Sequence, residues 1–449
     1  MRILKFGGTS VQSADAIKQA AACVLNCNSS KKTVILSAAS GVTDLLTEAV
    51  HNVLSDISYS ISIIEKLRQR HIVTADELLI NPRDIHIVIN NIFDELTERL
   101  IAVNELGELT ALNIDAVISR GELLSTKIFS AYLTENNKDC LYLDIRSLLK
   151  TDANFTKATV DFTVSAHNFN TSIGIFENND IIITQGFIAS DKSGRTTTLG
   201  RGGSDYSAAV IGSLLMTVGA DVEEIQIWTD VNGVLTADPK LLPNAFTIQH
   251  LSYEEVRIMS FLGAKVLHPD TIKPALNMNI PIRVMNTFNS TGGNTVISDA
   301  KDDEQSIVKS LVSVGNVFET SIKSDADKSG YAHAEALFDI FSNAQIKIIF
   351  SSVSDSEIKV YSVNNPDFLY FSKFSDSMKI QNLKMCALTG NKLTFMLNNI
   401  CLSLPELVRI CGISDNAVYL CSNQEITQET LMLIHKNLIE NKIEGINNG

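Results

Sequence analysis

A lysine followed by two glycines stands near the start of this 449-residue chain, in the segment KFGGTS at positions 5–10. Glycines at the point where a strand gives way to a helix let backbone N–H groups approach phosphate oxygens, and Lys5 adds a positive charge there. Two glycines in an ordinary packing turn would look the same. The segment by itself therefore fits either phosphate binding or simple packing.

A second segment, TTTLGRGGSDYS at positions 196–207, precedes an apolar run with helical character. Its Arg201 can bind a carboxylate through two parallel hydrogen bonds, and its Asp205 can orient a cation. Ser204 or Asp205 could instead act only as the N-cap of the helix. Because a cap requires neither an arginine nor three glycines, the combination favours a binding loop.

Three further segments carry polar groups whose roles depend on context. WTDVNGVLTADPK at positions 228–240 follows an apolar strand and is rich in turn-forming residues, on which a base or ribose could rest. GAKVLHP at positions 263–269 offers Lys265 either to a phosphate or to solvent. Glu122, within SRGELLS, could by itself be an ordinary exposed helix residue with a structural role.

Strands and helices alternate along the chain up to about residue 297, and these elements must position the polar segments. Residues 3–6, 33–37 and 181–184 have the apolar character of buried strands, whereas residues 61–133 indicate an all-helical insertion. The alternation predicts an α/β fold with a mainly parallel sheet between helices. In such sheets, ligands bind at the C-terminal ends of the strands.

A change in texture near residue 300, after the glycine-containing stretch 286–294, indicates a domain boundary. We expect a catalytic domain over residues 1–300 and a C-terminal region over 301–449. That region shows two cycles of short strands and helices, over about 301–382 and 383–449, which predicts two small α+β units that could exchange a strand.

Composition argues against several kinds of partner. The chain has 37 Lys and Arg against 51 Asp and Glu, a formal net charge of −14, and no basic run, which disfavours nucleic acid. Seven scattered cysteines without a C-x-x-C pair indicate reduced thiols and no zinc site. The N-terminus resembles neither a signal peptide nor a membrane span, so we expect a cytoplasmic protein without a membrane partner.

Taken in order, KFGGTSV, SAASGVTDLL, SRGELLS, TQGF, TLGRGGSDYSA, WTDVNGV and GAKVLHP resemble the aspartokinases of the amino-acid-kinase family, across essentially the first 300 residues. Related kinases of acetylglutamate, glutamate, carbamate or uridylate share a glycine-rich opening but not KFGGTSV together with TLGRGGSDY. The resemblance implies an enzyme that uses ATP and Mg²⁺ to phosphorylate the side-chain carboxylate of L-aspartate. Its product would be 4-phospho-L-aspartate, the first intermediate of the aspartate-derived amino-acid pathway that leads to lysine, threonine and methionine.

The resemblance also implies roles for the residues at matching positions. Lys5 and Asp205 would be catalytic, with Asp205 orienting Lys5, and no metal would be held by side chains alone. The residues implied to bind aspartate are Thr43, Glu122, Arg201 and Ser204, with Arg201 on the α-carboxylate and Glu122 on the α-ammonium. The residues implied to bind ATP are Lys5, Gly7, Gly8, Thr229, Asp230, Leu235, Lys240, Lys265 and Val266. Family members often have an aromatic residue at the position of Leu235 and an arginine at that of Lys240.

The C-terminal region resembles paired ACT units, which bind an amino-acid effector, commonly lysine. The residues implied to bind the effector are Tyr331, Ser351 and Ser352. Such units usually pair their sheets between subunits, so we expect a homodimer or a higher homo-oligomer.

Two alternative functions are consistent with parts of the chain. The first is an amino-acid-sensing protein whose kinase half is inactive or weak, although Lys5, Arg201 and Asp205 are all present. The second is a fused homoserine dehydrogenase, but the roughly 150 residues after the boundary contain no G-x-G-x-x-G motif.

Arg201→Lys should raise the KM for aspartate by roughly tenfold and leave the KM for ATP nearly unchanged, because lysine keeps the charge but loses the two-bond fork. Steady-state kinetics with each substrate varied in turn would measure both constants. An unchanged KM for aspartate would remove Arg201 from the aspartate site.

Overall fold

The structure is a computed structural model that describes residues 1–136, 138–200, 202–264, 267–299, 307–323, 330–366 and 378–441, without the side chains of 269, 330–333 and 336. The chain divides into two compact units. The first unit comprises Met1–Val234, Gln249–Leu251 and Leu267–Asp299, and the second comprises Leu235–Ile248, Ser252–Val266 and Ala300–Gly449.

The strands are β1 (Arg2–Phe6), β2 (Lys32–Leu36), β3 (Leu141–Tyr142), β4 (Ile181–Gln185), β5 (Ile188–Ser190), β6 (Thr196–Thr198), β7 (Glu224–Thr229), β8 (His250–Leu251), β9 (Ile282–Asn286), β10 (Thr295–Ile297), β11 (Val308–Lys323), β12 (Ile348–Val353), β13 (Glu357–Ser362), β14 (Met378–Gly390), β15 (Arg409–Ile413) and β16 (Ala417–Ser422). The helices are α1 (Ala14–Asn26), α2 (Val42–Asn52), α3 (Ile57–Leu78), α4 (Arg83–Leu106), α5 (Ala111–Ile118), α6 (Arg120–Glu135), α7 (Phe162–Thr171), α8 (Ile173–Asn178), α9 (Gly203–Thr217), α10 (Tyr253–Phe261), α11 (Pro269–Asn277), α12 (Gly330–Asn343), α13 (Leu397–Ser403) and α14 (Gln428–His435).

The first unit is built on a sheet with the strand order β3-β4-β2-β1-β7-β9-β10-β8. Its pairs are parallel except for β9 with β10. β1 lies at the centre, where Phe6 is level with Leu36 of β2 and with Trp228 of β7. Leu36 in turn is level with Gln185 of β4. The C-terminal ends of four neighbouring strands therefore meet at one edge, where ligands bind in this class of sheet.

Apolar packing explains why β1 occupies the centre of the sheet. The Phe6 ring is fully buried, stacks on Trp228 with centroids 5.7 Å apart, and lies 6.4 Å from the Phe129 ring of α6. The expected helical insertion consists of α3 to α6, which bury Leu67 and Phe93 among other apolar side chains in the same core. This core holds the polar edge of the sheet on a rigid support.

The second unit contains an antiparallel sheet with the strand order β12-β13-β11-β14-β16-β15. The long strands β11 and β14 pair with each other from Val308 opposite Gly390 to Ile322 opposite Met378. One small core surrounds Phe341, and a second surrounds Leu388. The two α+β halves are therefore joined through two continuous strands.

The expected division at residue 300 differs from these compact units in two stretches, 235–248 and 252–266, which belong to the second unit. Backbone and side-chain contacts explain the difference. Leu311 N–H in β11 donates to the Thr236 carbonyl at 2.8 Å, and Lys309 Nζ lies 3.0 Å from Glu255 Oε2. The composition of the sequence changes near residue 300, but the boundary between the two compact units does not lie at that residue alone.

His71, on α3, should make the stability of the protein depend on pH. Its Nδ1–H donates to the Leu67 carbonyl at 2.7 Å, its Nε2 has no hydrogen-bond partner, and burial lowers its pKa from 6.5 to about 4. The unfolded chain therefore binds a proton between these two pH values that the folded chain does not, so stability falls as pH falls. Between pH 7 and pH 5 we expect a loss of roughly 2 kcal/mol from this residue.

Denaturant unfolding at both pH values would test this, with His71→Leu expected to remove that part of the loss. His51→Gln, at an exposed position of α2, is the matched control. The same pH dependence in His71→Leu and in the unaltered chain would contradict the assignment.

Candidate active site

Lys5 and Asp205, the two residues implied to be catalytic, are in direct contact. Lys5 Nζ lies 2.6 Å from Asp205 Oδ1, and Lys5 is only 8% exposed. β1 supplies the lysine, and the first turn of α9 supplies the carboxylate. Because a buried ammonium is costly without a counter-charge, Asp205 holds Lys5 in place at the edge of the sheet.

The two glycines after β1 serve different purposes. Gly7 N–H donates to the Trp228 carbonyl at 3.0 Å, so this amide continues the sheet and is already engaged. A Cβ on Gly8 would lie 2.8 Å from the Ala38 carbonyl oxygen and 3.1 Å from Ser40 N. Gly8 is therefore required by the close approach of two backbone segments, whereas a Cβ on Gly7 would make only ordinary van der Waals contacts, the nearest 3.6 Å from the Trp228 carbonyl oxygen.

Glu122 lies in the first turn of α6 and is only 3% exposed, so the interpretation of it as an exposed helix residue is wrong. Its Oε1 accepts the Ala38 N–H at 3.3 Å, while its Oε2 is buried without a hydrogen-bond partner. Burial raises the pKa of this carboxyl to about 8. Among the described residues no cation forms an ion pair with Glu122, so its ionised form depends on a positive group from elsewhere.

Thr43 and Ser204 also lie beside the C-terminal ends of strands. Thr43 is half-buried in the first turn of α2, the helix that follows β2. Ser204 packs on Gly186, directly after β4, where a Cβ on the glycine would lie 2.7 Å from Ser204 Cβ. Arg201, the fourth residue implied to bind aspartate, lies outside the described residues.

The glycines around Ser204 have conformational reasons of their own. Gly200 and Gly202 have φ values of +74° and +72°, in the left-handed region that favours glycine. A Cβ on Gly203 would lie 2.5 Å from the Phe187 ring. These glycines are therefore explained by backbone shape and close packing, and ligand binding by this segment would depend on its charged residues.

Of the residues implied to bind ATP, Thr229 and Asp230 lie at the end of β7, which pairs with β1. Thr229 Oγ1 donates to Asp230 Oδ1 at 3.1 Å, and Asp230 is exposed. Leu235 and Lys240 belong to the second unit, where Leu235 forms an isolated antiparallel β-bridge with Thr247. Lys265 and Val266 lie outside the described residues.

Of the residues implied to bind an effector, Ser351 and Ser352 are on the edge strand β12, paired with Val360 and Lys359 of β13. The side chain of Tyr331 lies outside the described residues. The six-stranded sheet thus presents the two serines on one of its outer strands.

Gln185 and Thr126 support Glu122 but were not among the residues singled out from the sequence. Gln185, at the end of β4, donates through Nε2 to Thr126 Oγ1 at 3.2 Å, and Thr126 Oγ1 contacts the Glu122 carbonyl. A glutamine at the end of a fully buried strand, in the TQGF motif, is the signal that could have identified this link.

The amino acid kinase family model matches residues 1–286. The chain belongs to the amino acid kinase family. Aspartokinase 2, chloroplastic, of Arabidopsis thaliana is 31% identical over 375 residues, which are 82% of this chain and 67% of that protein. The bifunctional aspartokinase/homoserine dehydrogenase 2 of the same plant is 30% identical over 402 residues, 86% of this chain but only 43% of that protein. The chain thus spans less than half the length of this bifunctional relative.

Solved structures give the same relationship. E. coli aspartokinase III in complex with lysine and aspartate is 26% identical, with a TM-score of 0.78 over 98% of this chain and 99% of that one. Its complex with aspartate and ADP is 27% identical, with a TM-score of 0.75 over the same shares. The expected resemblance to the aspartokinases and the expected fold class are therefore confirmed. None of the described helices is long and apolar enough to cross a membrane.

Gly8→Ala should destabilise the protein by about 1–3 kcal/mol, because the new methyl group must displace the Ala38–Ser40 backbone. Gly7→Ala is the matched control: Gly7 has an ordinary φ of −73°, and its Cβ would meet nothing closer than 3.6 Å, so a change within about 0.5 kcal/mol is expected. Denaturant unfolding of both variants measures the difference. Equal losses in the two variants would show that the close approach to Ala38 is not the cause.

Proposed function

We propose that this protein is an aspartate kinase, which transfers the γ-phosphoryl group of ATP to the side-chain carboxylate of L-aspartate. The observation that carries the proposal is the buried Glu122 carboxylate with one oxygen unpartnered, at the sheet edge that also holds the Lys5–Asp205 pair. A buried carboxyl group that ionises readily only beside a cation suits a ligand with an ammonium group. The aspartate and ADP bound in the E. coli relative support the same choice of substrates.

The nucleophile needs no general base, because the aspartate side chain has a pKa near ~3.9 and is ionised at neutral pH. The obstacle is the approach of one anion to another, the γ-phosphate. Lys5 would supply positive charge there, and Asp205 would orient Lys5 rather than remove a proton. The products would be ADP and the acyl phosphate 4-phospho-L-aspartate.

Recognition of an α-amino acid requires an anion for the ammonium group and a cation for the α-carboxylate. Glu122 would supply the anion from a buried position held by the Ala38 amide. Arg201 would supply the cation through a two-bond contact. Thr43 in α2 and Ser204 in α9 would add hydroxyl contacts to the same molecule.

Magnesium would enter with the nucleotide as part of the substrate. The described residues contain no group of three His, Cys, Asp or Glu side chains that could hold a metal ion. Mg²⁺ does not require such a group, because it usually keeps several waters and binds substrate phosphates together with only one or two carboxylates. Asp230, an exposed carboxylate at the end of β7, could provide one of them. Held there, Mg²⁺ would supply positive charge that offsets the charge of the phosphates.

The second unit would make the enzyme responsive to an amino acid. Lysine is favoured because E. coli aspartokinase III, which this chain matches over nearly its whole length, was solved with lysine bound. Ser351 and Ser352 on the edge strand β12 would take part in this site, and an edge strand is suited to pairing with a second subunit. A homodimer or higher oligomer in the cytoplasm, serving synthesis of amino acids from aspartate, remains the expectation.

The test of the proposed function is ADP release that requires both ATP and aspartate, with the acyl phosphate trapped as its hydroxamate by hydroxylamine. Lys5→Ala, expected to keep the fold and lose turnover, is the control for contaminating activity. An intact chain that releases no ADP with aspartate would instead support a sensing protein with an inactive kinase half. Repeating the assay with lysine would test the effector.

The KM for aspartate should fall as pH rises from 6 to 8, by roughly tenfold per unit well below the pKa of Glu122. Burial raises that pKa to about 8, so at pH 7 most of the free protein carries a neutral Glu122, which must lose its proton to bind the ammonium group. Kinetics at constant ionic strength, with the KM for ATP as internal reference, would measure this. Glu122→Gln should weaken aspartate binding and abolish its pH dependence. A pH-independent KM in the unaltered enzyme would contradict the role of Glu122.

A further inference from the structure

Asp115, on α5, is a fully buried carboxylate that is not among the residues proposed to bind aspartate or ATP. It is 0% exposed and accepts three hydrogen bonds: Thr156 N–H at 3.0 Å and Thr198 N–H at 2.9 Å on Oδ2, and the Thr198 hydroxyl at 2.7 Å on Oδ1. No cation of the described chain forms an ion pair with it. Burying a charge in this way is costly, and the three donors offset that cost only in one arrangement of the chain.

The three donors come from two segments that Asp115 joins. Thr198 ends β6, and Thr156 lies in a turn where its own φ is +71°, an uncommon value for a residue with a side chain. Ala158 N–H also donates to the Thr198 carbonyl at 3.0 Å. The Thr156 carbonyl oxygen is 3.4 Å from the Cβ position of Gly200. The carboxylate therefore holds the turn at Thr156 against the start of the glycine segment, the stretch that begins at Gly200 and ends at Gly203.

Both sides of the proposed aspartate site are connected to this carboxylate. Along the chain, Thr198 is followed by the glycine segment and then by Ser204 and Asp205 in α9. On the other side, the Asp115 carbonyl accepts Ser119 N–H at 3.1 Å, and α6 with Glu122 begins at the next residue. Asp115 thus ties the helix pair that carries Glu122 to the segment that leads to Ser204.

We propose that Asp115 is a positioning residue for the amino-acid substrate: by clamping Thr198 and Thr156, it sets the spacing between the glycine segment and Glu122. The inference rests on the proposed aspartate kinase activity. We expect Asp115 to affect aspartate and not the nucleotide, because its three hydrogen-bond donors lie in β6 and in the turn at Thr156. None of them lies in β7 or in the glycine turn after β1.

Asp115→Asn retains the shape of the side chain but presents an NH₂ group to donors. We expect it to raise the KM for aspartate by roughly tenfold or more, while the KM for ATP changes by less than about twofold. Asp152→Asn is the matched control, since Asp152 Oδ1 accepts Asn154 and Thr159 N–H at 3.2 and 3.0 Å on the exposed side of the same turn. Neither of these two donors lies in β6. That variant should leave both constants unchanged.

Thr198→Val and Thr198→Ser provide a second test if Asp115→Asn fails to fold. The valine removes only the hydroxyl donor and should raise the KM for aspartate about threefold to tenfold. The serine keeps that donor, so its KM for aspartate should stay close to that of the unaltered chain. Calorimetric titration of each folded variant with aspartate supplies a readout that does not need turnover, and the dissociation constant should move in parallel.

The outcomes separate the two proposals. If the unaltered chain phosphorylates aspartate, and Asp115→Asn or Thr198→Val lowers only the melting temperature or shifts both KM values alike, Asp115 is merely structural and the inference is overturned. If the unaltered chain neither binds nor phosphorylates aspartate, the proposed function fails and this inference with it.

Discussion

The parallel pairing of β1 with β2 and β7 is the constraint on which the site depends. It sets Phe6, Leu36 and Trp228 level with one another, so the loops that follow these strands begin at the same height. A lysine one residue before the end of the central strand then lies among loops from both neighbours. Because the register of a buried strand is set by its apolar faces, slippage by one residue would place Lys5 on the opposite face of the sheet.

Close backbone contact is the second common feature of the site. Gly8 lies against the Ala38–Ser40 loop, Gly121 brings α6 onto Ala38, and Gly186 meets Ser204. Each of these glycines removes a Cβ that would otherwise separate two polar segments. Charged side chains from β1, α6 and α9 can therefore converge without fully extended conformations. Ordering them costs less side-chain entropy than it would if their backbones lay farther apart.

Much of this arrangement could be predicted from the sequence, because buried strands and glycine turns leave local patterns. The parallel sheet and the helical insertion follow from periodicity, and the ordered motifs indicate the family. The burial of Glu122 could not be predicted, because a glutamate in the first turn of a helix has the same sequence context whether that turn faces water or the loop after β2. The engagement of the Gly7 amide by Trp228 likewise depends on a strand more than 200 residues away.

The membership of residues 235–248 and 252–266 in the second unit has a consequence for modular exchange. A recombinant chain cut at residue 300 would keep α10 but lose Lys309, the cation that pairs with Glu255, which is only 1% exposed in the intact chain. Glu255 would then be either uncovered or buried by new residues that do not supply its cation. A chimaera that joined this kinase half to a foreign tail at that point would meet the same difficulty. In this chain the C-terminal region and those two stretches therefore form one packed unit, so an exchange of the tail would have to carry both stretches with it.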